Sequence, residues 1–77
     1  MRRFRDRDGR DWDVVIGRES WGTQLALFVP ATGQAPVRQA PLAATATDAA
    51  MQELEQFSDG DVQKLLDESV IKDEGQP

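Results

Sequence analysis

Cysteine and histidine are both absent from the 77 residues. Without cysteine there are no disulfides and no thiolate metal sites to brace a small domain. Without histidine the common zinc ligand sets and the usual neutral-pH general base are missing. No stretch approaches the roughly 20 apolar residues that span a bilayer. The opening MRRFRDRDGRD has basic residues but no apolar run behind them, so it does not read as a secretory signal. These absences point to a soluble, cytoplasmic protein with no metal and no cofactor.

What is present must therefore make the core: two tryptophans, three phenylalanines and the aliphatics. A chain of this length is one domain near the lower limit for a self-sufficient core. Charge is unevenly placed. Six arginines face five acids in residues 1–20, Arg38 stands alone in residues 21–47, and nine acids oppose Lys64 and Lys72 in residues 48–77. The net charge is −5, and the acidic final third disfavours a phosphate backbone as partner.

The stretch FRDRDGRDWD, Phe4 to Asp13, admits three hairpin registers. A two-residue turn at Asp8-Gly9 sets Arg7 against Arg10 and Asp6 against Asp11. A four-residue loop sets Arg5 against Arg10. The three-residue loop Arg7-Asp8-Gly9, a type I turn closed by a glycine bulge, is better. It opposes Asp6 to Arg10, Arg5 to Asp11, Phe4 to Trp12 and Arg3 to Asp13, so every pair is complementary. Phe4 then joins Trp12, Val14 and Ile16 on one apolar face. A calcium loop does not fit, because the glycine falls at the fourth place and arginines intervene.

Further on, QLALFV predicts the strongest strand, Gln24–Val29, apolar on both faces and so expected at the centre of a sheet covered on each side. Val37–Ala40 predicts a short edge strand bounded by Pro36 and Pro41. A helix capped by Thr47 or Asp48 follows, with Ala50, Met51, Leu54 and Phe57 at helical spacing. Ser58 caps a second helix, with Val62, Leu65, Leu66 and Ser69 inward and Asp59 and Asp61 in the first turn. The expected fold is α+β in a single domain. A three- to four-stranded antiparallel β-meander in 1–40 is followed by two short helices within 47–70, packed on one face, and a flexible tail at 72–77.

Catalytic patterns are weak. GRESWG, Gly17–Gly22, approximates a hydrolase elbow, but no histidine exists to activate Ser20. Lys64, Glu53, Glu55, Asp67 and Glu68 read as solvated helix faces. No enzyme is expected; a carboxylate-based site is the remaining catalytic possibility.

The pattern F-x-D-x-x-G-R-x-W-x-V, Phe4 to Val14, resembles the opening hairpin of small uncharacterised bacterial proteins. Their endings are similar to Ser58-Asp59, Val62, Leu65-Leu66-Asp67 and Ser69. The resemblance spans about half of the chain and implies a standalone small domain with no stated activity. The same hairpin core is similar to one unit of the YD repeats of large secreted toxins, but a single copy makes that a shared hairpin chemistry.

The functional expectation is a non-enzymatic binding module for a protein partner or a second copy. Trp21, Phe28 and Val37 are the expected contacts on a sheet face or edge, with Arg7 and Arg18 as further contact residues; Arg7 and Asp8 are the main unclaimed charges of the hairpin tip. If the helices cover one face only, Phe28 and Ala26 are expected on the other. The alternative is nucleic-acid binding through Arg2, Arg3, Arg5, Arg7 and Arg18.

Overall fold

The computed structural model describes residues 2–18, 23–33 and 35–72. Four strands come first: β1 (Arg2–Arg5), β2 (Asp11–Arg18), β3 (Gln24–Pro30) and β4 (Arg38–Pro41). Two helices follow, α1 (Thr47–Gln56) and α2 (Asp59–Glu68), and then a short strand β5 (Val70–Ile71). The strands form one antiparallel sheet in the order β1-β2-β3-β4-β5. This is the expected α+β meander with two helices behind it, enlarged by one strand.

The first hairpin adopts the complementary register: Arg3 opposite Asp13, Phe4 opposite Trp12, Arg5 opposite Asp11. Gly9 closes the loop at φ +85°, and its N–H donates to the Asp6 carbonyl at 3.0 Å. A Cβ at this position would meet nothing within 4 Å. The cost of Gly9→Ala is therefore conformational alone. A loss of about 1–2 kcal/mol is expected in urea denaturation, the cost of a left-handed residue that carries a Cβ.

Side chains alternate across the sheet, so the register assigns them to two faces. Phe4, Trp12, Val14, Ile16, Ala26, Phe28 and Ala40 share the face beneath the helices. There Phe4, Trp12, Val14, Ala26 and Phe28 join Leu42, Ala50, Leu54, Val62 and Leu66 in one buried cluster. Trp12 meets Phe28 edge-to-face, with ring centroids 6.2 Å apart. That geometry suits the aromatic quadrupole, positive edge against negative face.

The ends of the helices depart in part from the expectation. Ser58 caps α2 as the sequence predicts, and Asp61 answers it with a bond back to the Ser58 N–H, completing a capping box. At α1 the N-cap is Ala46 instead of Thr47 or Asp48, with no side-chain cap. The C-terminal carbonyls of α1 find an unexpected partner. Arg2 donates to the carbonyls of Leu54 at 2.8 Å and Phe57 at 2.6 Å, and it pairs with Asp59 at 2.9 Å. One guanidinium thus satisfies the end of α1 and neutralises the start of α2.

Two boundaries are corrected. Val70 does not extend the helical segment, because the C-cap Ser69 turns extended (φ −70°, ψ 158°) and leads into β5. Arg38 anchors that turn by donating to Ser69 Oγ at 2.8 Å and to its carbonyl at 2.7 Å. Lys72 N–H then reaches the Val37 carbonyl at 2.8 Å. Consequently β4 is not an edge strand. Residues 73–77, which contain most of the expected tail, lie outside the described residues.

Candidate functional site

Both helices pack on the Phe28 side of the sheet, which leaves the opposite face without a second layer among the described residues. The register sets that face out in cross-strand rows. Val15, Leu27, Gln39 and Val70 form the middle row. Gly17, Leu25 and Pro41 form the next row on one side. On the other side Arg3, Asp13 and Val29 are aligned, and one step along the same register brings Val37 beside Val29. The block is aliphatic, with Gln39 as its central polar side chain.

Exposure agrees with this layout at every apolar position but Leu25. Val15, Leu27, Val29 and Val37 are partly exposed, Val70 is 58% exposed, and Leu25 is buried outside the main cluster. Leu27 lies flat against the sheet over Gly17, where a Cβ would stand 2.7 Å from its Cδ1. That close approach is the reason for a glycine inside β2. The charged end of the face is internally paired: Arg3 to Asp13 at 2.6 Å and Arg5 to Asp11 at 2.9 Å. The Arg5 hydrogen bond holds the Asp11 carboxyl below its ordinary value.

The expected contact residues divide between this face and elsewhere. Phe28 is fully buried beneath the helices with Ala26, reversing their expected placement. Both faces of β3 are apolar, and the β2 partner Val14 draws Phe28 to the aromatic side. Val37 does lie on the open face. Trp21 lies outside the described residues. Arg7 is not unclaimed: it pairs with Asp67 of α2 at 2.7 Å, and its backbone N–H donates to Gln63 Oε1 at 2.8 Å. Arg18, at the end of β2, is exposed and has no ion-pair partner among the described residues. Of the five arginines of the nucleic-acid alternative, Arg2, Arg3, Arg5 and Arg7 are engaged in ion pairs.

A cleft of about 310 Å³ opens between the hairpin tip and α2, lined by Asp6, Asp8, Arg10, Trp12, Arg38 and Asp67 among others. Its most buried charge is Asp6. That carboxylate does not pair with the Arg10 side chain as the register alone suggests; it accepts three hydrogen bonds instead. Oδ1 takes the N–H groups of Asp8 and Arg10, each at 2.9 Å, and Oδ2 takes Trp12 Nε1 at 2.9 Å. Burial pushes its pKa up, but the bonds from Trp12, Arg10 and Asp8, with the Arg10 charge, hold it below the ordinary aspartate value. Asp67 is likewise taken by Arg7 and by Gln63 at 3.0 Å. Both carboxylates are thus tied into the fold, and Asp6, held below its ordinary value, makes a poor proton donor near neutral pH.

No family model, curated protein or solved structure matches the chain significantly. Among the described residues no helix is long and apolar enough to cross a membrane. The functional reading therefore rests on the faces of the molecule itself.

Proposed function

We propose that the chain is a small non-enzymatic binding module, engaging a protein partner or a second copy of itself through the open face of its sheet. The observation that carries this reading is the aliphatic block of Val15, Leu27, Val29, Val37 and Val70, set on a rigid sheet with no layer over it among the described residues. Contiguous apolar surface of that kind marks interaction sites on small soluble proteins. The arginines support a protein partner more than a nucleic acid, since four of the five nominated ones already hold acids. Asp6 and Asp67, two of the carboxylates of the hairpin cleft, support a non-enzymatic role, being committed to hydrogen bonds within the fold.

Leu27 is the central contact of this reading. Replacing Leu27 with arginine keeps an aliphatic stem to cover Gly17 while putting charge in the middle of the block. In affinity capture from the native host, Leu27→Arg is expected to lose the bound protein while retaining the wild-type circular dichroism spectrum. Arg10→Glu, in the cleft near the other face, is expected to retain it. Equal capture by wild type and Leu27→Arg would remove the open face from the function.

A further inference from the structure

We infer that the occupant of the open face is a second copy of this chain, packed face to face about a two-fold axis near Leu27 and Gln39. The inference rests on the reading of that face as a binding surface and adds the identity of the partner. Three observations lead to it.

The first is area. The molecule is a slab measuring 33 × 33 × 19 Å, which bounds each broad side at about 1,100 Å². A standard stable interface takes about 800 Å² from each partner, which fits within that bound when most of this broad side, rim included, is used. Two such slabs stacked by their sheets form a four-layer helix–sheet–sheet–helix sandwich, with the sheets about 10 Å apart.

The second is charge. A protein of net charge −5 repels its own copy unless the acids are kept away from the contact. Here Asp48, Glu55, Asp59, Asp61, Asp67 and Glu68 all lie on the two helices, behind the sheet. The charges at the rim of the open face are already matched within one chain, Arg3 with Asp13 and Arg5 with Asp11. Sheet-to-sheet stacking therefore places both acidic layers outside, whereas helix-to-helix stacking brings them together.

The third is the polar group in the middle of the block. Gln39 follows Leu27 in the central row. A primary amide is both donor and acceptor, so two copies brought together by a two-fold axis can bond to each other. A lone amide in an apolar contact is otherwise costly to bury. Dimerisation also answers the size problem, because the chain has no cysteine or histidine to supply a staple.

A two-fold axis duplicates every charge placed beside it, which gives the test its specificity. Sedimentation equilibrium from micromolar to millimolar concentration is expected to show a dimer for the wild type. Leu27→Arg and Leu27→Glu, each alone, are expected to raise the dissociation constant by about 100-fold or more. An equimolar mixture of the two variants is expected to recover a dimer, since the axis then sets arginine against glutamate. Circular dichroism of each variant checks that the fold is intact. A wild type that stays monomeric at millimolar concentration overturns the second-copy inference, and the host capture with Leu27→Arg then judges the face separately. A dimer indifferent to Leu27→Arg also overturns the second-copy inference, because the contact then lies elsewhere, and the host capture again judges the face separately. Failure of the mixture to associate, with both variants folded, rejects the two-fold arrangement.

Discussion

Phe28→Ala is expected to lower the melting temperature by about 15–35 °C and to leave a substantial unfolded population at room temperature. Phe28 is fully buried and belongs to the hydrophobic cluster formed by the described residues. Truncating such a ring removes its transfer free energy and leaves a cavity, together about 3–5 kcal/mol. The edge-to-face contact with Trp12 at 6.2 Å is lost as well. A domain of this length holds only about 4–12 kcal/mol in total. One residue thus accounts for a large share of the margin. Leu27→Ala, one position away on the same strand but on the open face, is expected to cost under about 1 kcal/mol in the monomer. Thermal unfolding followed at 222 nm separates the two. A Phe28→Ala variant melting within a few degrees of the wild type would place Phe28 outside the core.

The opposite fates of neighbouring residues mark how far the sequence could be read. The register of the first hairpin was legible, because like charges oppose each other in the competing registers and only one loop uses Gly9 well. In β3 the same reasoning had nothing to act on. Leu25, Leu27 and Val29 are as apolar as Ala26 and Phe28, and alternation alone does not say which set meets the helices. The answer lies in the partner strand: Val14 opposite Phe28 carries the aromatic face of the hairpin into β3. That register depends on the connection between Arg18 and Gln24, whose length has no decisive turn signal.

Most of the contacts missed from the sequence are distant in the chain. Arg2 reaches Leu54, Phe57 and Asp59, Arg7 reaches Asp67, and Arg38 reaches Ser69. No local pattern encodes a bond across sixty residues. The arginines of the hairpin read as a solvated pair of strands, and in part they are. Arg2 and Arg7 also clamp the helical layer to the sheet, which orients the open face away from the acids. β5 escaped notice because two residues are too few for a periodic signal, and the apolar stripe of α2 runs straight into them.

Asp6 yields the second large effect, and its pH dependence distinguishes the cause. Asp6→Ala removes an acceptor from three donors and strands the indole N–H of Trp12, a residue only 3% exposed. A loss of about 2–4 kcal/mol is expected near neutral pH, from charged hydrogen bonds forfeited and a buried donor left unpaired. Asp6→Asn is milder. Its oxygen can serve the two backbone N–H groups, but its amide nitrogen then faces Trp12 donor to donor. Because the folded carboxyl titrates below its unfolded value, the stabilisation is fully present above the unfolded pKa of about 3.9. It is lost as pH falls through the folded value. The gap between wild type and Asp6→Asn in urea midpoints is therefore expected to be constant at pH 5–8 and to close below about pH 4. Asp11, also held low chiefly by its arginine partner, is retained in both proteins, so most of its contribution cancels; the Asp6 charge is its last and smallest influence. A second cut isolates the indole. In a Trp12→Phe background the donor is absent, and Asp6→Asn is expected to cost less than it does in the wild type. A gap that persists unchanged to pH 2, or that ignores Trp12→Phe, would mean that Asp6 contributes shape to the turn and not its charge.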